Sequence, residues 1–173
     1  MDEKQGTTER CCGRLRPGTM LSFAVGLGAG AILTVAAVWA LMPRMMIDVE
    51  ESRLSFDETV LTLQEAVARR GWVVAGTRDM RKSLARHGRT LERRVKIIEL
   101  CHPDYARSVL RTNRELSTLM PCAIGVWEGD DGRTYVSKTN TGLMGRMFGG
   151  NVAEVMGGPV AEDEEAILSA VVR

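Results

Sequence analysis

Apolar and polar positions divide the chain into two parts. From Thr19 to Met42 no charged side chain occurs. At about 1.5 Å per residue, a helix of this length crosses a hydrocarbon core of roughly 30 Å. We therefore predict one transmembrane helix over residues 19–42, held in the lipid bilayer and preceded by a short tail, residues 1–18. A cleaved signal peptide is the alternative, but the apolar stretch is longer than such peptides usually have.

Beyond this span the pattern changes to short apolar runs and amphipathic stretches. Five segments rich in β-branched and aromatic residues predict strands, and "GDDG" at residues 129–132 predicts a hairpin turn between the last two. A helix is predicted to begin at Ser55, which forms a capping box with Glu58, and another begins at Pro103. We predict one soluble domain, residues 43–173, of the α+β class: a mostly antiparallel sheet with helices on one face.

Basic residues predict the orientation of the span. Four precede it and two follow it within a similar distance: Lys4, Arg10, Arg14 and Arg16 before, Arg44 and Arg53 after. Segments richer in Lys and Arg stay on the cytoplasmic side. The tail is therefore predicted to be cytoplasmic and the domain to lie outside the cytoplasm.

Composition limits the function classes. The 173 residues carry a formal net charge of +1 and are 45% hydrophobic, whereas a nucleic-acid-binding domain needs a basic surface. No nucleic-acid partner is therefore expected. The sequence also lacks a phosphate-binding glycine loop, a Cys-x-x-Cys motif and a His-Glu-x-x-His motif. We predict a binding or accessory module rather than an enzyme.

Two glycines in the span have the spacing of a helix-association motif. Gly26 and Gly30 form a small-xxx-small pair, which allows two helix backbones to approach closely. This predicts self-association as a homodimer. The alternative is that glycine is simply frequent in membrane helices.

The two cysteines of the domain pose the main chemical question. Cys101 ends one predicted strand and Cys122 opens the next. If these strands are antiparallel neighbours, both thiols lie at one edge, and alternation is compatible with both facing one apolar layer. Three interpretations stay open: buried thiols that act as small hydrophobes, a disulfide in an oxidising compartment, or a copper site in which Cys101, His102, Met120 and Cys122 bind Cu(I).

Three methionines near the C-terminus have two interpretations of the same kind. Met144, Met147 and Met156 fall in a predicted helical region. Thioethers are soft metal ligands, but methionine side chains more often fill hydrophobic cores. Core packing is therefore the expectation for these three residues.

A basic segment separates the second and third predicted strands. It contains eight cations and two anions: Arg78, Arg81, Lys82, Arg86, Arg89, Arg93, Arg94 and Lys96 against Asp79 and Glu92. Such a segment predicts an anion-binding surface, for which the candidates are Arg78, Arg81, Lys82, Arg93 and Arg94, or contact with anionic headgroups. The alternative, which is more common for charged runs, is a solvated loop and helix face.

The order of these segments resembles a known family. "LSFDETVLTLQEAVARRGWVV", "KIIELCHPDYARSVL" and "LMPCAIGVWEGDDGRTYVSKTN" are similar to the bacterial and archaeal domain of unknown function 302 family over residues 47–172. Its most specific parts here are the Cys-x-Pro at Cys101 to Pro103 and the Leu-x-Pro-Cys that ends at Cys122. The basic segment and Thr141, where the family usually has proline, depart from the pattern.

The resemblance has consequences for fold and location. It implies a fold of the TATA-box-binding-protein-like grouping, without DNA binding, and it favours antiparallel pairing of the two cysteine-bearing strands. We predict a bacterial inner-membrane protein with its C-terminal domain in the periplasm, acting as a non-catalytic binding or accessory module. The alternative is a thiol-redox or copper-handling protein that uses Cys101 and Cys122.

Overall fold

The computed structural model describes residues 17–172, so the cations of the N-terminal tail lie outside the described residues. The chain divides into two compact units, Met1–Leu41 and Met42–Arg173. The helices are α1 (Pro17–Met46), α2 (Phe56–Arg69), α3 (Met80–Ala85), α4 (Pro103–Thr112), α5 (Thr141–Phe148), α6 (Gly150–Val155) and α7 (Ala161–Leu168). The strands are β1 (Ile47–Glu51), β2 (Val73–Asp79), β3 (Val95–Cys101), β4 (Cys122–Glu128) and β5 (Thr134–Thr139).

The first unit consists, in its described part, of helix α1. Residues Gly26–Met46 of α1 have a mean hydropathy of 1.7 and are long and apolar enough to cross a membrane, a test that an N-terminal signal sequence also meets. Side chains added at Gly26 and Gly30 would meet no atom within 4 Å. The face predicted to associate is therefore open, and the homodimer stays a prediction.

Helix α2 begins where its capping residues predict. The backbone nitrogen and the hydroxyl of Ser55 both donate to Oε2 of Glu58, at 3.1 and 2.6 Å. Phe56, Leu63 and Val67 lie on the buried face, because apolar residues spaced three or four apart share one side of a helix. This face packs onto the sheet.

The domain is built on one five-stranded sheet. Its strand order is β1-β5-β4-β3-β2, and all four neighbouring pairs are antiparallel. The turn after β4 contains the predicted "GDDG" segment, where Gly132 has a φ of 78°. The predicted α+β class and the antiparallel sheet are confirmed.

One face of the sheet carries the core. Ile98, Leu100, Ile124, Val126 and Val136 alternate with half-buried residues along the three central strands and are at most 1% exposed. Buried residues from α2, α4 and α7 form the same hydrophobic cluster. The helices therefore pack on this covered face, as predicted.

Helix α5 packs against the turn that precedes α7. A π-helical turn, Met156–Val160, follows α6. A Cβ atom at Gly145 of α5 would lie 2.9 Å from the backbone nitrogen of Gly157 in this turn. Only glycine allows so close an approach. It holds the segment that carries Met144 against the segment that carries Met156.

Candidate functional site

Cys101 and Cys122 lie at the same end of neighbouring strands but not on the same face. β3 and β4 are antiparallel, as expected, and Cys122 pairs with Leu100. Paired residues share a face and successive residues alternate. Cys122 thus lies on the covered face with Leu100, and Cys101 belongs to the opposite face. The possibility that both thiols face one apolar layer is not met in this sheet, because alternation within each strand leaves the register open and the observed pairing of Cys122 with Leu100 decides which face each thiol takes.

The register of β3 and β4 also bears on the predicted disulfide between Cys101 and Cys122. Both cysteines are free thiols. A disulfide needs Cβ atoms roughly 4 Å apart with bonds directed toward each other, and the register gives the two side chains to opposite faces of the sheet. The bridge stays a prediction that thiol trapping in cells can test.

Cys122 has the environment of an unreactive thiol. It packs against the hydrophobic core. Burial raises the pKa of Cys122 to about 12, and the charges of Glu164 and Cys101 contribute in the same direction. The thiolate is the nucleophile in thiol chemistry, and reactive cysteines have a lowered pKa. Cys122 is therefore protonated at neutral pH.

Glu164 of α7 is a buried carboxylate beside this thiol. Its side chain is 3% exposed. The hydroxyl of Thr141 donates to its Oε2 at 2.9 Å, and Nζ of Lys138 lies 3.6 Å from the same oxygen. Burial raises the pKa of Glu164, while Lys138 and Thr141 oppose that rise. Lys138 also contacts Asp48 at 3.2 Å, so one ammonium group bridges two carboxylates.

A cavity of about 240 Å³ opens beside Glu164, and we name it the polar cavity. Its wall contains one carboxylate, three threonines and one thiol, and its remaining residues are apolar. The lining residues are Thr118, Leu119, Pro121, Cys122, Ala123, Thr139, Thr141, Met144, Met156 and Glu164. An apolar wall with a few polar groups is typical of a small-molecule site.

A second, smaller void shares three of these residues. It has a volume of about 20 Å³ and is lined by Trp72, Leu100, Cys101, His102, Tyr105, Ala106, Met120, Pro121, Cys122, Met156 and Val160. We name it the sulfur pocket, because two thiols and two thioethers border it. All four residues of the predicted copper site therefore line one void. In the part of the chain that the structure describes, however, no three His, Cys, Asp or Glu residues form a group that could hold a metal ion.

Aromatic rings hold His102 in place at this pocket. Its ring stacks on Tyr105 at a centroid distance of 4.0 Å and meets the edge of Trp72 at 5.6 Å. Trp72 Nε1 and the Tyr105 hydroxyl both donate to Oδ2 of Asp163, at 3.0 and 3.3 Å. Arg70 lies 3.3 Å from the other oxygen. Asp163 thereby fixes the two rings that orient the imidazole.

Comparison with known families matches residues 47–172 to the family described as Domain of unknown function DUF302. The chain belongs to the DUF302 family. The match covers all of the sheet and the helices around it, and it confirms the resemblance drawn from the cysteine motifs. No curated protein matches the chain.

A solved structure has the same fold as this DUF302 domain. It is the crystal structure of an uncharacterized conserved DUF302 protein from Bacillus stearothermophilus, with a TM-score of 0.65 and 20% sequence identity. The similarity covers 73% of this chain and 98% of that one. At this identity the likeness establishes the fold alone.

Carboxylates neutralise most of the predicted anion-binding residues of the DUF302 domain. Arg78 lies 3.2 Å from Glu99, and Arg93 lies 3.5 Å from Asp130. Arg94 contacts Asp57 and Glu128, both at 2.8 Å. Arg81 and Lys82 are exposed on α3. Arg78 and Lys82 line one open cavity of about 500 Å³ together with Arg86, but Asp79 and Glu99 line it too. Arg93 and Arg94 do not line this cavity, so the five candidates do not form a single anion site.

Sequence reasoning missed the polar side of the site. Glu164 stands in the acidic first turn of α7, where acids are common because they complement the helix dipole. It lies four residues after Val160 and three before Ile167, both buried, so helical spacing puts it on the core face. An acid at a core position was the available signal. The partners Lys138 and Thr141 had no signal in the sequence.

Proposed function

We propose that this DUF302 chain is a membrane-anchored, non-catalytic module that binds a small ligand in the polar cavity. The observation that carries the proposal is the buried Glu164 carboxylate in the cavity wall. Burying a carboxylate costs free energy, and Lys138 and Thr141 offset part of that cost. Because the carboxylate also borders the polar cavity, a hydrogen-bond donor of a ligand can reach it there.

The chemistry of the cavity indicates the ligand class. Thr141 and Lys138 both contact Oε2 of Glu164, and the Cys122 thiol is a further hydrogen-bond partner of the carboxylate. A ligand with an N–H donor would take the place of this weak thiol donor. The apolar remainder of the wall suits a short hydrocarbon part. A volume of about 240 Å³ is below the roughly 300 Å³ at which typical ligand pockets begin. We therefore propose a small amine or another compact N–H donor.

A binding role is better supported than thiol-redox catalysis. Redox cysteines need an accessible thiolate, whereas the pKa of Cys122 is raised to about 12. Both thiols border the sulfur pocket, but by strand register they belong to opposite faces of the sheet. The raised pKa of Cys122 is the observation that weighs against the thiol-redox alternative.

Membrane anchoring is supported by helix α1. Its apolar part, Gly26–Met46, has the required length, and the basic residues before it favour a cytoplasmic tail. We propose that the domain lies in the periplasm of a bacterium. In carbonate-washed membranes the chain is expected in the pellet, and protease added to spheroplasts is expected to digest the domain. Recovery in the soluble periplasmic fraction would contradict the anchor.

Ligand binding is tested by thermal unfolding of the full-length chain in detergent. The probes are ethylammonium and guanidinium chlorides, compared with ethanol and sodium chloride at equal concentration. A ligand that binds only the folded state raises the unfolding midpoint. Ethylammonium or guanidinium is expected to stabilise the wild type and the control Glu165→Gln, whose residue is exposed, but not Glu164→Gln. Equal responses of all three proteins would exclude Glu164 as the binding group.

A further inference from the structure

Soft donor atoms gather around the sulfur pocket. Met156 is 7% exposed, and Cys122 and Met120 pack against the same core. Nδ1 of His102 is the one buried side-chain nitrogen or oxygen without a hydrogen-bond partner among the residues that the structure describes. Buried polar atoms almost always have partners. His102 borders the sulfur pocket with two thiols and two thioethers, so its buried nitrogen without a hydrogen-bond partner is available as a metal ligand.

We infer that the sulfur pocket binds one soft monovalent metal ion, Cu(I) or its analogue Ag(I), through Cys122, His102, Met120 and Met156. Thiolate, thioether and imidazole are the donors that suit Cu(I). The void of about 20 Å³ has room for one atom of the size of water or a small ion. This site adjoins the polar cavity but does not depend on a ligand there.

The donor set distinguishes a monovalent ion from zinc. Zinc in proteins takes three or four ligands from Cys, His, Asp and Glu, and no such group of three is present in the described part of the chain. The charge balance of the site also favours a monovalent ion. The thiolate of Cys122 cancels a charge of +1, whereas a divalent ion would need a second anionic donor to avoid an unpaired buried charge. Cys101, the other thiol at the pocket, belongs by register to the opposite face of the sheet and is not counted as a ligand.

The binding step balances without a redox partner. The S–H bond of Cys122 is replaced by an S–Cu bond, and the thiol proton passes to solvent. The ion stays Cu(I), and the charge in the pocket is unchanged. Coordination deprotonates a thiol even when its pKa is high. The rings of Trp72 and Tyr105 already hold His102, so little ordering is needed when the metal binds.

The test uses the full-length chain in detergent with Cys11 and Cys12 replaced by serine, because two adjacent thiols would bind Cu(I) themselves. Cu(I) is titrated under anaerobic conditions in competition with bicinchoninate, and Ag(I) stoichiometry is read by native mass spectrometry. Cys122→Ser and Met156→Leu are the test variants. Met147→Leu is the matched control, since Met147 is 60% exposed and does not border the pocket.

The expected result is one Cu(I) per chain, with sulfur and nitrogen neighbours in the X-ray absorption spectrum. Cys122→Ser should weaken binding at least about 100-fold, Met156→Leu about 10-fold, and Met147→Leu not at all. If Cys122→Ser unfolds, Met156→Leu keeps the test valid, because that exchange nearly conserves volume. The inference is overturned if the chain without Cys11 and Cys12 binds no Cu(I), if all variants bind alike, or if Zn(II) binds as tightly.

Discussion

The close contact at Gly145 gives a stability prediction that can be worked out in magnitude. In Gly145→Ala, the new Cβ would lie 2.9 Å from the nitrogen of Gly157, 3.4 Å from its Cα and 3.3 Å from Cα of Ala153. These are backbone atoms, so no side-chain rotation relieves the clash. Overpacking costs about 1–3 kcal/mol, while glycine to alanine in a helix gains about 0.5–1 kcal/mol. At the middle of both ranges the steric cost exceeds the gain, and we expect a net loss of about 1 kcal/mol.

Gly142→Ala in the same helix is the matched control. Its Cβ would meet only Oδ1 of Asn140, at 3.6 Å, which is ordinary van der Waals contact. The variants are compared by thermal unfolding of the full-length chain, followed by tryptophan fluorescence, where 1 kcal/mol shifts the midpoint by roughly 2–8 °C. Gly142→Ala should unfold at or above the wild-type midpoint, and Gly145→Ala below it. Equal midpoints would refute the idea that Gly145 fixes Met144 against Met156.

Three other side chains give predictions with different readouts. The Cys122 thiol, whose pKa is raised to about 12, should resist iodoacetamide at pH 8 until the chain is denatured, as read by peptide mass spectrometry; fast labelling of the folded chain would contradict its burial. Asp163→Ala leaves the buried Trp72 Nε1 without its acceptor and should lower the free energy of unfolding by about 1–3 kcal/mol in urea titrations; an unchanged midpoint would count against that contact. The hydrogen bond from Arg94 lowers the pKa of Glu128, so this pair stabilises the fold above the ordinary pKa of 4.5, and that contribution is lost as the pH falls below it. In Glu128→Gln, the free energy of unfolding should therefore fall less steeply with pH in this range. A pH dependence parallel to that of the wild type would contradict the argument.

The sequence predicted the elements well because local signals determine them. Ser55 and Glu58 marked the start of α2, and "GDDG" marked the hairpin after β4. Pairing between strands is not a local property, however, and one residue of register decides which face Cys122 takes. That step alone left the faces of the two thiols undecided.

The candidate site was only half predictable for a related reason. Cys101, His102, Met120 and Cys122 stand near one another in two short motifs, so chain order brings them to one end of adjacent strands. Glu164 reaches the same place from a helix about forty residues further along the chain. Its contact with Thr141 depends on how α5 and α7 pack, and that packing depends on the turn Met156–Val160 between them. The spacing of residues along the chain does not predict such a contact.

The strand order also determines how the domain responds to force. The chain passes from α1 directly into β1, which is an edge strand bonded only to β5. Ile47 and Val49 of β1 are about half exposed, and β1 contributes no buried residue to the core. If α1 is pulled, we expect the five residues of β1 to separate from β5 before the central strands part. The next contact along the chain is the isolated bridge between Ser52 and Val172.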